Sequence, residues 1–220
     1  MSGHTLSFID DATGRFSTWL DSTYPDGMHE DLVTHRRVGK LVEEVGEVTA
    51  AIGGYFGENP RKGTTHTLDD LQGELLDVAF AALGAWEHLD GNTGRAGTAL
   101  LAHTHRDDQT YPLTAGVSDL QHLNACIVLY NLTRYPSSGA EPVELTLRRR
   151  AASLSVSAGA VAAALTFTDG RIGSLQRRLL DVAVLALAIH DKTAAEGTVG
   201  EALAEKVAGV LTRVGLPTTE

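Results

Sequence analysis

The chain repeats itself, and no other feature constrains its fold as tightly. The segment TLDDLQGELLDVAFAALGAWEHLDG (67–91) lies over RIGSLQRRLLDVAVLALAIHDK (171–192). Leu71-Gln72 falls on Leu175-Gln176 and the word LLDVA on LLDVA, at an offset of 104 residues. Upstream, RRVGKLVEEVGEVTAAI (36–52) lies over RRRAASLSVSAGAVAAAL (148–165) at an offset of 113, which sets Leu41 on Leu154, Gly46 on Gly159 and Ile52 on Leu165. TYP at 23–25 is echoed by RYP at 134–136. Agreement of order, spacing and short identical words is the signature of one structural unit used twice. The expected copies are 1–110 and 111–220, joined near 106–117.

The unit is helical. Apolar residues recur three and four apart rather than in alternation. Hydrophobic residues make up 43% of the chain but aromatic ones only 5%, so Ala, Leu and Val build the interior, as in packed helices. The pattern predicts helices over about 5–23, 29–56, 67–90 and 96–105. The first carries Phe8, Phe16, Trp19 and Leu20. The second carries the stripe Val38, Leu41, Val42, Val45, Val48, Ile52 and Phe56, and the third Leu68, Leu71, Leu75, Val78, Leu83 and Trp86. GENPRKGTTH separates the second from the third, which lets them pack as an antiparallel pair. The expected fold class is all-α: a helical bundle whose two copies bury their apolar stripes against each other about a pseudo-twofold axis.

A formal net charge of −10 argues against binding a nucleic acid polymer through a broad basic surface. Cys126 is the single cysteine, so no disulfide forms within the chain, which suits a reducing cytoplasm. The first residues, MSGHTLSFIDDATG, do not pair a basic region with an apolar run, and no signal peptide is expected. The stretch 148–167 resembles a membrane span with basic flanks, but its apolar part is short of the ~20 residues required and is rich in Ser, Gly and Ala. It is expected to be a buried helix, with no membrane partner.

KLVEEVGEV (40–48) crowds Glu43, Glu44 and Glu47, although like charges three or four apart on a helix repel. Glu44 and Glu47 share a helix face, as do Glu74 and Asp77 in ELLD. Antiparallel packing brings these four carboxylates together. Without a cation some of them must hold protons at raised pKa. A hard divalent ion resolves the conflict, and an all-oxygen donor set favours Mg2+, with Mn2+ as the alternative. At the matched positions of the second copy stand Ser157, Ala160 and Arg178; only Asp77 keeps a counterpart, Asp181.

EEVGE followed after 26 residues by ELLD resembles the signature of the MazG-like all-α nucleoside triphosphate pyrophosphohydrolases: ExxE, a linker of variable length, then ExxD. The likeness is specific over 36–90, weaker over 5–35 and degenerate over 118–192. It implies two tandem MazG-like repeats forming an intramolecular pseudo-dimer, with the second copy in the place of a partner subunit and room for a further homodimer. It implies that Glu44, Glu47, Glu74 and Asp77 hold Mg2+. The activity implied is cleavage of an NTP or dNTP between the α and β phosphates, giving a monophosphate and pyrophosphate. Glu47 or Glu44 is the expected catalytic residue that orients the attacking water. The competing reading is a non-catalytic helical relative that binds nucleotide or metal, or regulates.

Other residues carry two readings each. Lys40, one turn before Glu44, contacts phosphate or offsets local charge. Arg61 and Lys62 in NPRKG meet the β and γ phosphates or form an ordinary exposed turn. Trp19, Trp86 and Tyr130 stack on a base or, more in keeping with their spacing, pack in the core. Asn124 and Asn131 are candidates to read a base edge. His103 and His105 in HTHRDD ligate a metal or mark a surface turn. Asp181 pairs with Arg177 or Arg178 or reaches the substrate.

Overall fold

Helical periodicity is realised throughout. The computed structural model describes residues 4–107, 117–135, 141–166, 172–194 and 198–218. Among the described residues every regular element is an α-helix: α1 (Leu6–Ser22), α2 (Glu30–Tyr55), α3 (Leu68–Leu89), α4 (Ala96–Asp107), α5 (Asp119–Arg134), α6 (Val143–Ala164), α7 (Ile172–Thr193) and α8 (Val199–Arg213). The first four match their expected spans to within two residues at each end. The expected junction near 106–117, with Pro112, lies almost wholly outside the described residues, as does Pro136.

Local sequence starts and stops these helices. Thr67 and Asp70 form a capping box at the head of α3, Thr67 Oγ1 accepting from the Asp70 N–H at 3.1 Å and Asp70 Oδ2 from the Thr67 N–H at 2.7 Å. Ser118 and Gln121 build the same box at the head of α5. Both satisfy N–H groups that lack an intrahelical acceptor. At the end of α2 the chain turns through Gly57 at φ 64° and folds back. A Cβ on Gly54 would then meet His66 Nδ1 at 2.0 Å, so that position accepts nothing larger than glycine.

α2 and α3 are antiparallel: Thr34 meets His88 at 3.2 Å, Arg37 lies against Gly84, and the Thr65 N–H returns to the Gly54 carbonyl. Val38, Leu41, Val45, Val48 and Ile52 are buried in that contact, facing Leu71, Leu75, Val78 and Leu83. Val42 departs from the expected stripe. It sits one position round from Leu41 on the outer side of the helix and is 44% exposed. Trp86, by contrast, is core. At the centre α3 packs against α7, also antiparallel. Gln72 Nε2 donates to the Thr193 carbonyl at 2.6 Å, and Gln176 Nε2 to Asp90 Oδ1 at 3.5 Å. Most of the 148–167 stretch lies in α6, which buries Leu147, Ala151, Leu154, Ala158 and Val161, as expected of a core helix. Among the described residues no helix is long and apolar enough to cross a membrane.

The packing pairs come in matched sets. α1 packs on α3, α4 and α8, while α5 packs on α7, α8 and α4. α2 lies on α3 and α6, while α6 lies on α7 and α2; α3 touches α8 as α7 touches α4. Two buried guanidiniums follow the same pattern. Arg37 Nη2 donates to the Ser17 carbonyl (2.8 Å) and Asp21 Oδ1 (2.6 Å), and Ser17 Oγ donates to the Gly84 carbonyl (3.3 Å). Arg150 Nη1 donates to Asn131 Oδ1 (2.6 Å), and Asn131 Nδ2 donates to the Ala188 carbonyl (2.9 Å) and Asp191 Oδ2 (3.0 Å). Asn131 therefore has a structural task rather than a base to read. Asn124 does too: its Oδ1 accepts the Gly200 N–H at the head of α8, at 2.6 Å.

Candidate functional site

A cleft of about 630 Å³ opens between α1, α2, α3 and α8. One stripe of α2 supplies Arg36, Lys40, Glu44 and Glu47, at spacings of four, four and three, so a single helix face delivers two cations and two acids. α3 supplies Glu74, Asp77 and Phe80, again three apart. α1 and its exit bring Phe16 and Tyr24; α8 brings Val210 and Arg213.

Three of the four carboxylates expected to meet do so, and the fourth, Glu47, stays outside the group. One oxygen each from Glu44, Glu74 and Asp77 lie within 4.8 Å of one another. Glu47, exposed at the rim, stands close enough to Glu44 and Glu74 to influence both carboxyls. Glu44 is only 7% exposed. Burial pushes its carboxyl above the ordinary glutamate value; Glu47 adds to that and Lys40 opposes it. Glu74 is raised too, by burial first and then by the charges of Asp77 and Glu44. Three hard carboxylate oxygens this close form a donor set of the kind that holds a hard metal ion.

Two lysines lean on the cluster. Lys40 Nζ lies 2.7 Å from Glu44 Oε1 and 3.0 Å from Glu43 Oε1, and the bond to Glu44 holds its ammonium above the usual lysine range. This is what offsets the crowding in KLVEEVGEV, and it places Glu43 at the exposed end of that pair. Lys206 of α8 pairs with Asp77 Oδ2 and donates to the Gly73 carbonyl at 3.4 Å.

Arg61 and Lys62 do not line this cleft. They sit in the turn beyond the C-terminus of α2, where the Arg61 N–H bonds Asn59 Oδ1 at 3.1 Å and Lys62 borders a separate depression with Gly46, Thr49 and Gly53 on the opposite face of α2. The helix end lies eight residues past Glu47, about 12 Å along the axis at ~1.5 Å per residue. Their expected place beside the acids is taken by Arg36, Lys40 and Arg213. Nor do the expected stacking residues face the cleft: Trp86 is in the core, Trp19 borders another depression, and Tyr130 packs near Tyr135. The rings that do line it are Phe16 and Phe80, 4.8 Å apart, and Tyr24, which lies under Arg36 at 5.5 Å. Asp181 pairs with neither Arg177 nor Arg178. It bonds His103 Nε2 at 2.7 Å across to α4, so His103 is helical and engaged rather than in a surface turn.

Arg36 was findable from sequence, since it continues the Lys40, Glu44, Glu47 stripe by one more step of four. Lys206 and Arg213 carried no local signal. Only tertiary packing brings α8 to a site more than a hundred residues earlier in the chain. Compared with protein-family models, curated proteins and solved structures, the chain matches none.

Proposed function

We propose that this chain is a divalent-cation-dependent nucleoside triphosphate pyrophosphohydrolase of the MazG-like kind, cleaving an NTP or dNTP to the monophosphate and pyrophosphate in the cytoplasm. The observation that carries the reading is the convergence of Glu44, Glu74 and Asp77 within 4.8 Å in a cleft that Arg36, Arg37, Lys40 and Arg213 also line. Neither half of that arrangement alone would suit a triphosphate: acids repel it, and cations bind it without activating anything.

Glu44, Glu74 and Asp77, with Glu47 beside them, are the residues that would hold Mg2+ or Mn2+. Bound there, the ion supplies contact to phosphate oxygens and neutralises charge that develops on them. The chain's own groups do the rest. Glu47, accessible at the rim beside Glu44 and Glu74, orients a water and accepts its proton. Arg36, Lys40 and Arg213 bind phosphate oxygens through charge-assisted hydrogen bonds. Phe16, Phe80 and Tyr24 give the base an apolar wall.

The matched packing sets and paired arginine networks also support reading α1–α4 and α5–α8 as two tandem copies in an intramolecular pseudo-dimer. The second copy has lost its acids and lends α8 as the far wall of the first copy's cleft. A second reading, a non-catalytic nucleotide- or metal-binding relative, draws on the fact that Lys40 and Lys206 already neutralise part of the cluster. Pyrophosphate release from a panel of NTPs and dNTPs with Mg2+ separates the two. The enzyme reading expects turnover that Glu47→Ala abolishes while the helical circular dichroism is unchanged. Binding without release from any triphosphate would establish the second reading.

A further inference from the structure

The Lys206–Asp77 pair has a double in the other half. Asp77 on α3 is tied to Lys206 on α8, and Asp181, 104 residues on, is tied to His103 on α4. Around Asp181 the cluster is missing: Ser157, Ala160 and Arg178 occupy the matched positions. A bond between the third helix of one half and the last helix of the other is thus a fastening that this fold uses without any acid cluster. On the α3 side the same carboxylate is claimed twice, once by the fastening and once by the cluster.

We infer that Lys206 and a divalent cation compete for Asp77, so that loading the cluster unfastens α8. This rests on the metal-site reading above. An ammonium and a dication cannot both sit directly on one carboxylate oxygen pair without strong repulsion. Lys206 has little else to hold, since its other bond, to the Gly73 carbonyl, is long at 3.4 Å. Lys40 differs: when it leaves Glu44 it keeps Glu43 at 3.0 Å, outside the cluster. Releasing Lys206 also matters for the cleft. Lys206, Val210 and Arg213 lie four and three apart on one face of α8, and the last two line the cavity. Cation loading is thereby coupled to the mobility of the wall that carries Arg213. Such coupling is reciprocal: if Lys206 opposes the cation, the cation loosens α8 to the same extent.

Mn2+ alone is the probe, its free fraction read by electron paramagnetic resonance. Lys206→Met is expected to tighten Mn2+ binding about tenfold, within the usual range of couplings between two sites. Lys206→Arg, which keeps the fastening, is expected to stay within about threefold of wild type, as is Arg213→Met, which removes a cleft cation that touches none of the acids. An unchanged or weaker affinity in Lys206→Met overturns the inference, and so does equal tightening in Arg213→Met, which would mark a general field effect. In the wild-type chain, amide exchange across α8 is expected to speed up relative to α4 when Mn2+ is added; unchanged relative protection overturns the inference even if the variants misfold. Failure of wild type to bind Mn2+ at all overturns the metal-site reading along with it, whereas binding with no effect of Lys206→Met removes this inference alone.

Discussion

The helix pair α2–α3 and the pair α6–α7 pack in matching ways and differ most at the acids. Both bury Leu and Val at matched offsets, both enclose an arginine bonded to the helix before it, and both fasten an aspartate of the third helix to the last helix of the opposite half. Only α2–α3 adds Glu44, Glu47 and Glu74, where the other pair has Ser157, Ala160 and Arg178. The α6–α7 pair packs in the matching way without acids at those positions. In α2–α3 they are kept at a cost, since Glu44 and Glu74 sit above their ordinary pKa through burial and mutual charge. Groups that disfavour the fold, and that the matching pair lacks, are placed for something other than the fold.

The strongest way to break this comparison is to remove one carboxylate on each side. Glu74→Ala is expected to lower kcat/KM for pyrophosphate release by about 10³-fold, roughly 4 kcal/mol of transition-state stabilisation. Asp181→Ala is expected to leave it within about twofold, in the range of substitutions remote from the reacting centre. Steady-state kinetics on one cleaved triphosphate decides. Equal losses on the two sides would mean that the α7 aspartate also takes part and that the halves are not divided in labour.

Next in size is a comparison of the two buried arginines. Arg150→Met removes the donor to Asn131 Oδ1 and the guanidinium charge near Asp191, both residues being nearly inaccessible, and is expected to cost about 3 kcal/mol, the lower end for breaking a buried polar network. In a chain of this size that lowers Tm by about 6–12 °C. Arg37→Met should cost less, about 2 kcal/mol, because its partner Asp21 is 26% exposed and keeps His88 and Asn92. Thermal unfolding by circular dichroism ranks them. The reverse order would show that α1 depends on α2 more than α5 depends on α6.

Much of this plan was legible in the sequence, for a physical reason. Helical period, caps and glycine breaks are local properties, so the first four helix spans emerge almost to the residue, and Glu44, Glu74 and Asp77 meet, with Glu47 at the rim, because two i, i+3 pairs on antiparallel neighbours share one cleft. What escaped is what depends on the third dimension. Arg61 and Lys62 look basic and close in sequence, yet they lie in the turn beyond the end of α2, where Lys62 borders Gly46, Thr49 and Gly53 on another face of that helix than the acids. Lys206 and Arg213 look like ordinary charges on a C-terminal amphipathic helix; the packing of α8 against α1 and α3 makes them cleft residues. Val42 looks apolar and therefore inside, but the stripe of α2 is narrower than its hydrophobic content.

The smallest effect is in some ways the sharpest, because it isolates the cost of the acids. Glu74 has a raised pKa in the folded chain, by burial and by the charges of Asp77 and Glu44. As pH rises past the ordinary glutamate value of about 4.5, the unfolded chain releases this proton first, and the folded state, still binding it, loses relative stability until its own raised pKa is passed. Glu74→Gln removes that loss. Without divalent cations, variant and wild type should therefore have similar Tm near pH 4, and the variant should be higher at pH 7 by about 2–4 °C, corresponding to ~1 kcal/mol after solvent screening of a half-buried group. The other shifted groups run in their own windows: the lowered Asp21 and Asp70 lose their contribution only as pH falls below the usual aspartate range, and buried His190 destabilises the fold as pH drops through the histidine range. Both proteins share these three, which lie outside the acid cluster, so they cancel in the difference; Glu44 does not, since it loses the charge of Glu74 in the variant. Arg178→Gln, the matched change on α7, should show no such pH-dependent gain. Adding Mn2+ at pH 7 should reverse the order, raising wild type more than Glu74→Gln, because only the full donor set gains from the ion. A Tm difference that stays constant from pH 4 to 7 would mean that Glu74 is tolerated as a neutral packing group, and the contrast between the halves would then be one of shape rather than charge.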